Sequence, residues 1–138
     1  MPANLSKDSI DLGIVIRDPE RSLGFYRDTL GLELVGEIPM PVGEGTMYRL
    51  QCGTTVIKLV HPAEEPPAAN PPGGIPGAYG IRYLTISVDN LTEVTNECTA
   101  AGHTLVVPPR EIREGVSISI VEDPDGNWVE FLQTTPTA

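Results

Sequence analysis

An internal repeat constrains this chain more than any local motif. The stretch SIDLGIVIRDPERSLGFYRDTLGLELV begins with apolar residues at alternate positions, Ile10, Leu12, Ile14 and Ile16, which is the period of a β-strand. Asp18 followed by Pro19 then matches a helix N-cap with proline at the first helical position, and Leu23, Phe25, Tyr26 and Leu30 form a helical stripe that stops at Gly31. This predicts a helix over residues 19 to 30. Three extended pieces follow, LELVGEIPM, TMYRLQCG and TTVIKLVHP, separated by Gly and Pro turn signals. From Tyr79 the same order returns: IRYLTISVDN alternates, Asn90 stands as the cap, LTEVTNECTAAG predicts a helix over 91 to 101, and HTLVVPP, VSISIVEDPDG and NWVEFLQ read as strands. An offset of 72 residues relates the copies, carrying Asp18 to Asn90 and Lys58 to Glu130. Each copy is then one supersecondary unit of the order βαβββ. Module one spans about residues 9 to 61 and module two about 80 to 134, within a single α+β domain over 1 to 138.

Between the copies lies HPAEEPPAANPPGGIPGAYG. Its Pro62, Pro66, Pro67, Pro71, Pro72 and Pro76 exclude a regular helix or a central strand, so residues 62 to 79 are expected to be an irregular linker. A linker of this length lets the modules pack within one chain or reach a partner. Exposed sheet edges and an apolar helix face in each module argue for a homodimer.

Charge narrows the partners. Nine basic against nineteen acidic residues give a net charge of −10, which disfavours nucleic-acid phosphates and anionic membrane alike. No apolar run approaches the roughly 20 residues of a membrane span, and MPANLSKDSI lacks the basic start and apolar stretch of a signal peptide, so a cytoplasmic location is expected. Cys52 and Cys98, with no CxxC spacing, read as buried free thiols. A small molecule is the expected partner.

Two segments carry a family resemblance. IRDPERSLGFYRDTLGLEL resembles the first strand–helix–strand of the vicinal oxygen chelate superfamily of glyoxalases, extradiol dioxygenases and bleomycin-resistance proteins. VEDPDGNWVEF resembles its closing hairpin, in which the Asp125-Gly126 turn reverses the chain and places Trp128, Glu130 and Leu132 on one strand face. With the repeat, the resemblance covers about residues 9 to 134. It implies two tandem βαβββ modules forming a cup-shaped mixed β-sheet barrel with helices outside. It also implies four metal-ligand positions, one from the first and one from the last strand of each module, which fall here on Asp11, Lys58, Tyr83 and Glu130.

Only Glu130 is a residue type usual at those positions. A lysine ammonium has no lone pair and repels a dication, and a tyrosine phenol must lose its proton to bind tightly. No cofactor is therefore expected; were a divalent ion to bind, Glu130 and Asp11 would be its donors. The same four groups suit an ion-pair network of Lys58 with Asp11 and Glu130. They also suit an acid–base set in which Glu130 abstracts a proton beside a carbonyl while Lys58 and Tyr83 stabilise the enolate. Asp11, Thr85, Ser87 and Trp128 are then expected to bind substrate, Trp128 as a stacking platform, although a lone Trp is as often core. Gly13 and Val15 share the strand face of Asp11. His61 and His103 stand at expected element ends and suit solvated or capping roles, and Arg49 suits a surface position, with an anion clamp as the alternative. A glyoxalase-like lyase or isomerase and a non-catalytic, antibiotic-sequestering binder are the two functions that fit. A metal-dependent dioxygenase is disfavoured by the missing histidines.

Overall fold

The protein is described from a computed structural model, over residues 2 to 135. The chain divides into two compact units, Met1–Pro67 and Ala68–Ala138.

In the first unit β1 (Leu12–Val15) leads to α1 (Pro19–Leu23), and β2 (Glu33–Pro39), β3 (Gly45–Cys52) and β4 (Thr55–Pro62) follow. They form a four-stranded sheet in the order β1-β4-β3-β2, with β1 parallel to β4 and the other neighbours antiparallel. The Asp18 carboxylate caps α1 as its sequence implies, accepting the N–H groups of Glu20 at 3.0 Å and Arg21 at 3.4 Å. Beyond Leu23 the helix widens into a π-helical segment, Gly24–Thr29, where Leu30 N–H reaches back to the Phe25 carbonyl at 2.9 Å. Phe25 and Tyr26 in this segment are both completely buried, their rings edge to face at 4.7 Å and 88°. Ile14, Ile57, Leu59 and Leu50 occupy the buried face of the sheet. Ile10 lies outside β1 at 81% exposure, so the alternating stripe starts later than the sequence suggests.

The second unit repeats the plan with β5 (Tyr83–Ser87), α2 (Leu91–Ala100), β6 (Leu105–Arg113), β7 (Val116–Glu122) and β8 (Trp128–Thr134), in the order β5-β8-β7-β6 with β5 parallel to β8. Helix α2 lies against β6, β7 and β8 and buries Leu91, Val94, Thr95 and Cys98. The Thr95 hydroxyl donates to the Leu91 carbonyl at 2.6 Å and shares a 2.7 Å hydrogen bond with Ser119, so both buried hydroxyls are satisfied. Burial, with Glu97 nearby, pushes the Cys98 thiol up to about 11, in keeping with an inert buried cysteine.

Three expectations are corrected. Each mixed sheet is open, with its first strand on one edge, and neither closes into a barrel. Asn90 occupies the cap position of α2 without a side-chain cap bond; Gln133 of β8 accepts the Leu91 N–H at 2.8 Å instead. Asn90 Nδ2 donates to Glu93 Oε2 at 3.4 Å. Strand β6 also continues past Pro108 and Pro109, which the sequence suggests as its end; its register shifts between Val107 and Arg110 to accommodate them on an outer strand.

The linker is irregular apart from a single 3₁₀ turn at Ile75–Gly77, and its later half is fastened to the second unit. Asn70 donates to the Asp125 carbonyl at 3.0 Å and to Asn127 Oδ1 at 3.1 Å, while Arg82 holds the carbonyls of Gly74 at 2.8 Å and Pro71 at 2.9 Å. Gly74, at φ 61°, lies so close to Trp128 that a Cβ there would fall 2.0 Å from ring carbon Cζ2. No helix among the described residues is long and apolar enough to cross a membrane.

Gly74→Ala is expected to dislodge this strap and destabilise the protein by about 1–3 kcal/mol, through a positive φ and a backbone clash with a ring. Urea unfolding measures it, and a loss under about 0.5 kcal/mol would show that the strap is not packed there. Gln133→Leu is expected to cost about 1 kcal/mol by uncapping α2, whereas Asn90→Ala should cost less.

Candidate functional site

In each unit the sheet face away from the buried apolar stripe carries the candidate residues, and strand register fixes which stand side by side. In the second unit β5 presents Tyr83, Thr85 and Ser87, and parallel pairing sets them beside Trp128, Glu130 and Leu132 of β8. Glu130 is therefore flanked by Thr85 on one side and Ile120 of β7 on the other. The Thr85 hydroxyl donates to Glu130 Oε1 at 2.7 Å. That bond orients the carboxylate and leaves Oε2 without a protein partner among the described residues. Tyr83, 46% exposed, is one step diagonal to Glu130, a spacing of about 7–8 Å that a long aromatic side chain can bridge. Ser87 stands beside Leu132, one step beyond Glu130 in the other direction.

Trp128 shares this face but is not an open platform. Its indole N–H donates to Glu122 Oε1 at 3.3 Å and Gly74 packs on the benzenoid side. The sequence cannot show this, because the contact comes from the linker.

The first unit arranges its face differently. Lys58 of β4 is paired with Gly13 of β1 and with Arg49 of β3, and Arg49 in turn with Gly36 of β2. A row Gly13–Lys58–Arg49–Gly36 thus crosses all four strands. Asp11 lies just before β1, and its Oδ1 accepts Lys7 Nζ at 2.6 Å and the Val56 N–H at 2.8 Å. The Lys7 hydrogen bond, then that of Val56, holds the Asp11 carboxyl below the usual carboxylate range. The expected ion pair of Lys58 with Asp11 does not form: Asp11 is bonded by Lys7, and Lys58, whose charge also helps to lower the Asp11 carboxyl, makes no ion pair among the described residues. A lysine on the N-terminal arm reaches Asp11 more easily than Lys58 does, because Lys58 faces Gly13 rather than Asp11 across the ladder. Sequence reasoning missed the Lys58–Arg49 pairing. The signal was present: counted outward from the Gly53-Thr54 turn, Arg49 and Lys58 are equidistant. His61 lies inside β4, opposite Thr46, and His103 follows α2.

Of the family's ligand positions, Lys58 offers no lone pair and stands directly beside a second cation, Arg49, and Glu130 accepts a hydrogen bond from Thr85.

Comparison with known proteins agrees with the fold. Residues 10–131 match the model of the glyoxalase/bleomycin resistance protein/dioxygenase superfamily. The lactoylglutathione lyase of Neisseria meningitidis serogroup A is 31% identical over 121 residues, spanning 83% of this chain and 81% of the relative. A probable lactoylglutathione lyase of Synechocystis is 28% identical over 129 residues, spanning 88% and 92%. Among solved structures, a glyoxalase family protein from Bacillus cereus superposes with a TM-score of 0.81 at 16% identity, covering 99% of both chains. A glyoxalase family protein from Enterococcus faecalis gives 0.67 at 23% identity, covering 94% of this chain and 96% of that one. With its repeated βαβββ order, its two parallel first-to-last strand pairings and a family match over nearly its whole length, the chain belongs to the glyoxalase/bleomycin resistance protein/dioxygenase superfamily.

Proposed function

We propose that the chain is a glyoxalase-like lyase or isomerase for a small carbonyl compound, working without a divalent metal, with Glu130 as its base. The observation that carries this is the 2.7 Å hydrogen bond from Thr85, which fixes one oxygen of the Glu130 carboxylate and leaves the other for a substrate proton. In this reading Glu130 Oε2 removes a proton from the carbon next to a carbonyl, and the C–H electron pair passes into the enolate. The Tyr83 hydroxyl donates a hydrogen bond to the enolate oxygen. With an α-hydroxy carbonyl substrate, the α-hydroxyl proton passes to the enolate oxygen and Glu130 returns its proton to the former carbonyl carbon, which completes an isomerisation; with a leaving group on the β-carbon, the carbonyl re-forms as that group departs with the bonding electron pair, which makes a lyase. The relatives named lactoylglutathione lyase support the reaction class.

Exchange of substrate carbon-bound hydrogen in D₂O tests the base directly. Glu130→Gln is expected to lower the exchange rate by about 10²–10⁴-fold while binding stays within a few-fold, since the amide keeps the shape but takes no proton. Thr85→Val should lower it about tenfold by freeing the carboxylate. A change in affinity with no turnover in the parent protein would make the chain a sequestering binder instead. Elemental analysis of the purified protein is expected to find far less than one divalent ion per chain. An ion present at about one per chain and lost in Glu130→Gln would overturn the metal-free mechanism.

A further inference from the structure

The outward face of the first sheet holds two cations with no salt-bridge partner among the described residues, although the Asp11 carboxylate feels the charge of Lys58. Lys58 and Arg49 are direct cross-strand neighbours, both half-buried, and like charges so placed destabilise a sheet. Neither forms an ion pair among the described residues, in a chain with nineteen acidic side chains to draw on. The equivalent row of the second sheet, Thr85–Glu130–Ile120–Val107, contains no cation, so the fold itself does not require this pair.

Both ends of the first row are glycine. A Cβ at Gly13 would meet nothing within 4 Å, which leaves open space beside Lys58, and one at Gly36 would stand 3.4 Å from Arg49 Cδ, so the Arg49 stem leans over Gly36. The adjacent row is wholly apolar: Val15, Val60, Met47 and Ile38 are in register across the same four strands. It lies about 7 Å along the strands from the charged row. Its two ends remain in contact with solvent, Val15 at 54% exposure and Ile38 at 39%.

We propose that this face binds a small organic anion, its carboxylate or phosphate held by Lys58 and Arg49 and its hydrocarbon part laid along Val15, Val60, Met47 and Ile38. A guanidinium fork beside an ammonium offers directed and point-charge donors to one oxyanion, and the bound anion removes the repulsion between the two cations. A bare inorganic anion would use the first row alone. Every residue of this site lies in the first unit, and the assignment goes beyond the role given to Glu130 without resting on it.

Amide NMR titration of the full chain tests this with benzoate, benzyl alcohol, benzylammonium and inorganic phosphate. Benzoate is expected to shift the Gly13 and Gly36 amides saturably, phosphate to bind about tenfold more weakly, and the alcohol and ammonium to leave both amides unmoved. Lys58→Gln and Arg49→Gln should each weaken benzoate by about tenfold or more, the loss of one charge-assisted hydrogen bond, and Val15→Ser should weaken benzoate but not phosphate. Should a variant fail to fold, the parent protein still decides: its benzoate affinity must fall as salt rises from about 0.05 to 0.5 M. Unchanged benzoate affinity in both charge variants, equal binding of benzyl alcohol, phosphate as tight as benzoate, or no salt dependence would each overturn the proposal.

Discussion

Parallel pairing of the first and last strands of each module is the constraint on which the candidate chemistry depends. It sets Gly13 beside Lys58 and Thr85 beside Glu130. Side chains alternate faces along a strand, so a slip of one residue would drive Lys58 or Glu130 into the stripe occupied by Ile57 and Leu59, or by Val129 and Phe131. Burying an unpaired charge there costs far more than a misaligned turn. The apolar stripes therefore lock the register, and the register delivers the charges to the opposite face. Stability and site geometry are one decision in this fold.

Much of that was legible beforehand, and the failures share a cause. Asp18, Pro19 and Gly31 announce α1, because capping and turn chemistry act within a few residues. The repeat announces the second module for the same reason. Asn90 misleads because Gln133, distant in sequence, competes for the same N–H. Trp128 misleads because Gly74 arrives from a linker that has no periodicity to read. Asp11 misleads because Lys7, outside both modules, reaches it first. Local signals are visible in a sequence, and long-range competition for one donor or one ring is not. Cross-strand neighbours fall between these limits: the Lys58–Arg49 pair follows from a short hairpin turn once the turn is trusted.

The two modules have taken one frame in opposite directions. At positions related by the repeat, one carries a lysine flanked by arginine and glycine, the other a glutamate flanked by threonine and isoleucine. Members of one superfamily differ in chemistry through such exchanges at fixed strand positions, with the scaffold unchanged. In this chain the exchanged residues stand at the positions that the family resemblance gives to metal ligands.

The two prolines in β6 reach beyond their local register shift. Within its unit β6 is the outermost strand, and Pro108 and Pro109 are exposed and lack N–H donors. A foreign strand laid along that edge would find a donor missing and the ladder out of step between Val107 and Arg110. Edge-to-edge stacking, the opening move of cross-β aggregation, is interrupted where an outer strand is otherwise nine residues long. The irregularity that makes β6 hard to foresee is also what guards that edge against strand addition.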